Sequence, residues 1–336
     1  MTHFEILVCL IFLLNFGFFW FNESIAKILN LFDAPDFKRK LHSKSVPITG
    51  GLYLFINIIL ISILSNLNLL HLPIFNFETN REFFSFIFLM TSVFLVGIYD
   101  DKFDMSPFSK FSFLMFIIFI SVIVDETTIV QNLRFSINEY IIQLSKLSIP
   151  FTVLSILIFL NALNMFDGID MQVSLYFLIS LIFIIFKINS FYLLCLFPVI
   201  IFNIYLNFKK KLFMGDSGTN VISVLISWLI IKNYNLYNAF YCEEIFLLML
   251  VPGLDMLRLF FIRIIKGKNP FYADNNHLHH LYIYRYSLNI SIMLIQFQIF
   301  LPIFLYLLFD LNPLLINFIS IAMYIFVIIH LKLKKI

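Results

Sequence analysis

Long apolar runs recur from one end of this 336-residue chain to the other. A helix needs about 20 mostly apolar residues to cross the hydrocarbon core of a bilayer, where no water is available to the backbone. Eleven segments meet or approach that requirement: Phe4–Phe21, Ile48–Asn66, Phe83–Tyr99, Phe108–Val124, Leu147–Leu163, Val173–Phe186, Phe191–Phe208, Val221–Ile231, Asn238–Arg258, Ile290–Phe309 and Leu314–Leu331. The expected fold is all-α, a polytopic integral membrane protein of about 11 transmembrane helices, with residues 1–336 as a single transmembrane domain. Composition agrees, since 61% of residues are hydrophobic and 13% charged, against about 45–50% and about 25% in soluble domains. The first run has no Lys or Arg before it and no small-residue cleavage site after it, so it reads as a retained span and not a signal peptide. Cys9, Cys195 and Cys242 have unrelated spacings, which excludes a disulfide framework or a cysteine metal site.

Lys and Arg set the orientation. Eighteen of the 23 basic residues fall on alternate connections, including Lys27, Lys38–Lys40, Lys44, Lys209–Lys211, Arg258, Arg263, Lys266, Lys268 and the tail Lys332–Lys335. That side is expected to be cytoplasmic, with the N-terminus outside and the C-terminus inside. Ten of the twelve Asp share the side, but only one of the eight Glu does. A merely solvated surface would use the two acids interchangeably. Short carboxylates at helix ends on one face suggest a metal and phosphate site.

Five connections on that side carry chemistry. Asp100-Asp101-Lys102-Phe103-Asp104 ends the third span, where Asp100 and Asp104 share a face if the helix continues, and adjacent carboxylates at an apolar helix end are costly without a cation. Mg²⁺ prefers one or two carboxylates plus substrate phosphate oxygens. Asn164, Asp167 and Asp170 are three apart, which predicts one polar stripe down a helix end, with Gly168 permitting a turn or a close approach. In Phe213-Met-Gly-Asp216-Ser217-Gly218, Asp216 or Ser217 can cap the eighth span, and free amides there suit an anion. His277-Leu-His279-His280 follows a basic segment and lacks a fourth zinc ligand, so it reads as a diphosphate clamp or proton donor. The first connection, Asp33-Ala-Pro35 through Pro47-Ile-Thr49-Gly50-Gly51, combines basic residues with a special backbone entering the second span. Together these features point to transfer of a phosphorylated group from a soluble donor to a lipid phosphate.

At these motifs, from about Asp33 to His280, the chain resembles the polyprenyl-phosphate N-acetylhexosamine-1-phosphate transferases of the glycosyltransferase 4 type. It is most similar to the branch that uses UDP-GlcNAc and undecaprenyl phosphate to begin a lipid-linked cell-envelope glycan. The resemblance implies that a UDP-N-acetylhexosamine and polyprenyl phosphate give polyprenyl-diphospho-sugar and UMP, with Mg²⁺ (or Mn²⁺), at the cytoplasmic face of a bacterial inner membrane. By motif, Asp216 would hold the metal. Asp100 and Asp101 would organise it or deprotonate the lipid phosphate. Asn164, Asp167 and Asp170 would shape the nucleotide site, Phe213 would stack on uracil, and Lys44 would lie near the nucleotide. His279, with His277 and His280, would grip the diphosphate. The chain departs from the family pattern at Met171, where Gly is usual, and at Asn275, where Arg is common. The partners implied are the UDP-sugar, the lipid acceptor and membrane lipids, with no nucleic acid and a second copy of the chain as a candidate. The contrasting reading is a multispan transporter or flippase, which would place ionisable groups near the midplane, often with internal repeats. No repeat is visible here, and the span centres are nearly free of charge.

Overall fold

The computed structural model describes residues 3–34, 44–67, 72–269 and 276–333. Twelve α-helices lie among them: α1 (His3–Leu29), α2 (Gly50–Asn66), α3 (Asn80–Phe103), α4 (Pro107–Val124), α5 (Ser148–Phe166), α6 (Gln172–Ile188), α7 (Phe197–Phe208), α8 (Gly215–Tyr237), α9 (Cys242–Ile265), α10 (Leu278–Ile283), α11 (Leu288–Phe309) and α12 (Pro313–Leu333). Beside four short 3-10 helices there are, among these residues, two small antiparallel strand pairs, β1 (Phe32–Asp33) with β2 (Val46–Pro47) and β3 (Asn132–Arg134) with β4 (Ile141–Gln143). The protein is thus an all-α polytopic membrane protein.

Each of the eleven expected spans falls on a helix, though these helices differ in length and polarity. Among the described residues, eight helices are long and apolar enough to span a membrane: α1, α3, α4, Ser145–Phe166, Phe191–Phe208, α9, α11 and Pro313–Lys332. The helices α2 and α6 are apolar but have 17 residues each. Helix α8 has the length, at 23 residues, but carries Asp216, Ser217, Thr219, Asn220, Ser223, Ser227 and Lys232. All of these except Asp216 are buried. Its polar groups therefore face protein, where they can be satisfied, and its apolar stretch Val221–Ile231 understates the helix. Lipid-facing positions on other helices show the opposite pattern, with Leu13, Trp20, Phe116 and Phe326 all exposed.

The chain divides into two compact units. The first comprises residues 1–126 and 189–225. In it α3 packs on α4, α2 on α3 and α7, and α1 on α7. Hydrocarbon gives no hydrophobic drive between helices, so close packing and polar side chains join them. Asn57 donates to Asn15 at 3.0 Å between α2 and α1, Ser85 and Ser121 pair at 3.0 Å between α3 and α4, and Phe55 stacks on Phe94 at 4.1 Å. The second unit comprises residues 127–188 and 226–336, with α9 packed on α5 and α12, and α11 on α6 and α12. There Lys187 Nζ pairs with Glu244 Oε1 at 2.9 Å, and the Tyr306 hydroxyl donates to the same oxygen. A buried carboxylate is thereby neutralised and hydrogen-bonded, as its burial requires.

A close interhelical approach in the first unit is at Gly97 of α3. A Cβ there would overlap the backbone of Ser217, lying 2.5 Å from its nitrogen. Backbone cannot yield as a side-chain tip can. Gly97→Ala should therefore cost about 1–3 kcal/mol through overpacking and lower the melting temperature in detergent. Gly17→Ala, at a position with nothing within 4 Å, is the control and should leave it unchanged.

Candidate active site

The first cluster is built by three helix ends of the first unit. Helix α3 stops at Phe103 because Asp104 takes a left-handed conformation (φ 50°) and returns its N–H to the Asp100 carbonyl. The expected shared face of Asp100 and Asp104 is therefore not formed, since the helix ends between them and Asp104 is exposed. Ser106 caps α4 by accepting from Ser109 N, and Pro107 opens the helix with its φ already set. This tight reversal carries Lys110 back to the end of α3. Lys110 Nζ lies 2.8 Å from Asp100 Oδ2 and 2.5 Å from Asp216 Oδ2. Asp100 Oδ1 accepts from Met105 N at 2.6 Å.

Asp101 does something different. Its two oxygens accept from the backbone N–H groups of Asp216 at 2.7 Å and Ser217 at 3.1 Å. The N-terminus of α8 is thus capped by Asp101 from α3, and not by Asp216 or Ser217. These two amides are consequently not free for an anion, as the sequence had suggested. The reason is proximity, because a carboxylate already at the contact satisfies two orphan donors at once. Just before α8, Phe213 N donates to the Pro47 carbonyl, and the carbonyls of Phe213 and Met214 accept from Gly50 and Gly51. The first-connection glycines and the Phe-Met-Gly-Asp motif therefore meet through their backbones. Phe213 is half-buried, and Lys44 is exposed just ahead of β2.

Among the described residues, no group of three or more His, Cys, Asp or Glu is arranged to hold a metal ion. Two carboxylates, Asp100 and Asp216, nevertheless converge on one ammonium, while the third acid, Asp101, is turned to the α8 amides. Mg²⁺ is commonly held by one or two carboxylates plus substrate phosphates, so the donor set is of the right kind for that ion. Lys110 is the residue that sequence reasoning missed, having been counted only as an orientation charge. Its position one turn into a Ser-Pro-initiated helix was the available signal.

The second cluster lies in the second unit. Helix α5 ends at Phe166, with Asp167 as its C-cap outside helical geometry (φ −76°, ψ 70°). Asn164, Asp167 and Asp170 therefore lie on a helix end and the turn beyond it, not on one continuous helical stripe. Gly168 meets the imidazole of His279, and a Cβ there would sit 2.6 Å from His279 Cδ2 and overlap the rest of the ring. The Asn-x-x-Asp-Gly-x-Asp motif and the His segment are thus brought together. Met171, where the family pattern has Gly, takes φ +64°, a conformation costing a non-glycine residue about 1–2 kcal/mol.

His277 and His279 are buried, and the rings of His279 and His280 lie 4.2 Å apart. Burial and the neighbouring imidazoles push the His279 pKa well below its ordinary 6.5, so it is neutral at pH 7. The segment is held by Asp255 of α9. One Asp255 oxygen accepts from Leu278 N at 3.2 Å and faces His277 Nδ1 at 3.4 Å. The other accepts from Arg258 at 2.7 Å and the Tyr324 hydroxyl at 3.0 Å. Arg258 also donates to the Asn276 carbonyl at 2.7 Å. Asp255, Arg258 and Tyr324 are positioning residues that single motifs did not disclose. The departure at Asn275 and the basic residues Lys38–Lys40 lie outside the described residues.

Against this geometry stand the comparisons with known proteins. The profile of glycosyl transferase family 4 matches residues 83–234, a range that holds Asp100, Asp101, Lys110, Asn164, Asp167, Asp170, Phe213 and Asp216. The undecaprenyl-phosphate alpha-N-acetylglucosaminyl 1-phosphate transferase of Yersinia pestis is 25% identical over 289 residues, covering 81% of this chain and 74% of the relative. The protein of the same name from Pasteurella multocida (strain Pm70) is 28% identical over 275 residues, covering 78% and 73%. That from Escherichia coli (strain K12) is 24% identical over 284 residues, covering 81% and 74%. With the motifs, their order and their placement at helix ends, the chain is similar to glycosyl transferase family 4 over residues 83–234 and to these transferases over most of its length.

Proposed function

We propose that this protein transfers a sugar 1-phosphate, GlcNAc 1-phosphate in the first instance, from a UDP-sugar to undecaprenyl phosphate at the cytoplasmic face of a bacterial membrane. An oxygen of the lipid phosphate attacks the β-phosphorus of the donor. The bond from that phosphorus to the bridging oxygen breaks, UMP leaves, and undecaprenyl-diphospho-sugar remains. The observation that carries this reading is the convergence of Asp100 and Asp216 on Lys110, together with the named relatives. Phosphoryl transfer requires positioning and charge stabilisation more than covalent chemistry.

In this reading Asp100 and Asp216 hold Mg²⁺ (or Mn²⁺), which neutralises charge on the phosphates when bound. Lys110 keeps those two carboxylates together, and Asp101 fixes the start of α8 beside them. Phe213 takes the uracil face and Lys44 lies nearby. Asn164, Asp167 and Asp170 bind the nucleotide, and His279 offers a neutral imidazole hydrogen bond to the donor diphosphate, flanked by His277 and His280. The acids Asp100, Asp101 and Asp216 sit together at helix ends, which suits a phosphate site at the membrane surface better than the midplane site usual in transporters.

Purified protein given a panel of UDP-sugars with undecaprenyl phosphate should release UMP with UDP-GlcNAc, and only with a divalent cation present. Asp216→Asn should stay folded yet lose orders of magnitude in turnover. Full activity in excess EDTA rejects the metal assignment, and absence of UMP release with every donor rejects the reaction. His279→Asn should lower kcat/KM about 10²–10³-fold, the usual effect of losing one preorganised donor, while lipid acceptor binding is retained.

The same residue makes a stability prediction. His279 is depressed in the folded state relative to its ordinary 6.5. Its contribution is therefore complete above about pH 6.5 and lost as pH falls below it. Wild-type melting temperature should fall on acidification below that point, more steeply than in His279→Asn. Orientation is tested by reporters active only outside the cytoplasm, which should be silent at Ile336 and active in the 67–82 connection. The reverse pattern would invert the assignment of faces.

A further inference from the structure

At the opposite end of α9 from Asp255, α9 and α12 border a cavity of about 360 Å³. Phe246, Leu314, Phe318 and Ile321 make its apolar lining, joined by Glu243 and Asn317. Glu243 and Asn317 are only 4% and 5% exposed, yet Glu243 Oε2 and Asn317 Oδ1 have no hydrogen-bond partner. Their other polar atoms are engaged. Glu243 Oε1 accepts from both N and Oγ of Ser136 at 2.6 Å, and Asn317 Nδ2 donates to the Glu243 carbonyl at 2.8 Å. That last bond fixes the amide, so a flip cannot present its nitrogen instead. Two acceptors are thus left without donors in an apolar setting, an arrangement that native proteins rarely leave unanswered.

The location narrows what supplies the donors. Glu243 is the second residue of a membrane-length helix, level with the boundary where hydrocarbon gives way to headgroups. Phe246 and Phe318 are 45% and 70% exposed, so the cavity opens between side chains that face lipid. No Lys, Arg or His lines it, and the carboxylate calls for a cation from outside. A primary ammonium brings a positive charge and N–H donors together. A trimethylammonium head has the charge without the donors, and a glycerol head has donors without the charge. Asp255 is twelve residues further along α9, about 18 Å at the helical rise, so this pocket is separate from the His cluster.

We propose that the cavity binds one phospholipid with a primary-amine headgroup. Its ammonium donates to Glu243 Oε2 and Asn317 Oδ1, and an acyl chain lies along Phe246 and Phe318. The site is independent of the transfer reaction.

The test uses the full chain, delipidated in detergent and titrated by native mass spectrometry with dioleoyl-phosphatidylethanolamine, -phosphatidylcholine and -phosphatidylglycerol. Wild type should bind the ethanolamine lipid at least tenfold more tightly than either of the others. Glu243→Gln keeps an oxygen for Ser136 but loses the charge, and should lose that preference. Ile321→Trp fills the cavity and should abolish binding even if Glu243→Gln proves unstable. Equal affinity for the three lipids, preference for the choline or glycerol lipid, or unchanged ethanolamine-lipid binding in Ile321→Trp overturns the proposal.

Discussion

A helix that begins at a membrane boundary has amide donors that neither its own carbonyls nor hydrocarbon can satisfy. In the first unit that requirement is met by Asp101, whose carboxylate takes the amides of Asp216 and Ser217. Much of the site follows from this contact. It joins the end of α3 to the start of α8, and it needs the close approach that Gly97 permits. It also holds Asp216 where Lys110 can bridge it to Asp100. An aspartate that looks redundant beside its neighbour therefore has its own task.

The second unit uses the same device. Asp255 accepts from Leu278 at the start of α10 and is itself held by Arg258 and Tyr324. The carboxylate thereby orients the short helix that carries His279 and His280. Its outcome for His279 is burial against Gly168, and with burial goes neutrality near pH 7. A neutral imidazole contributes through a directed hydrogen bond, whereas a cation would act through a diffuse field. In each unit, then, one acid is occupied with backbone amides and fixes the residues around it.

These arrangements explain why so many polar residues sit on helices of a membrane protein. On α8 the serines, Thr219, Asn220 and Lys232 are buried, where other helices shelter them from lipid. Polar groups in hydrocarbon are expensive unless satisfied, so their presence marks helix faces that are turned inward. The Glu243–Asn317 pair differs in its place, because its unpaired acceptors lie beside a lipid-facing opening.

Hydropathy alone determined that the chain is an all-α membrane protein, and it placed a helix under every expected span, because burial in hydrocarbon leaves its mark on each residue independently. The motifs likewise disclosed Asp100, Asp101, Asp216, the Asn164–Asp170 segment and the His segment as the residues of interest. Tertiary structure decided what each one does. Where a helix stops is set by the backbone of a single residue, left-handed at Asp104 and non-helical at Asp167, so the expected stripes of Asp100 with Asp104, and of Asn164 with Asp167 and Asp170, did not form. Whether α8 faces lipid or protein depends on its neighbours, which a window of hydropathy does not contain. Lys110 became the bridge between Asp100 and Asp216 only through the reversal at residues 104–106, since contacts between residues 10 and 106 positions apart belong to the fold and not to any local pattern.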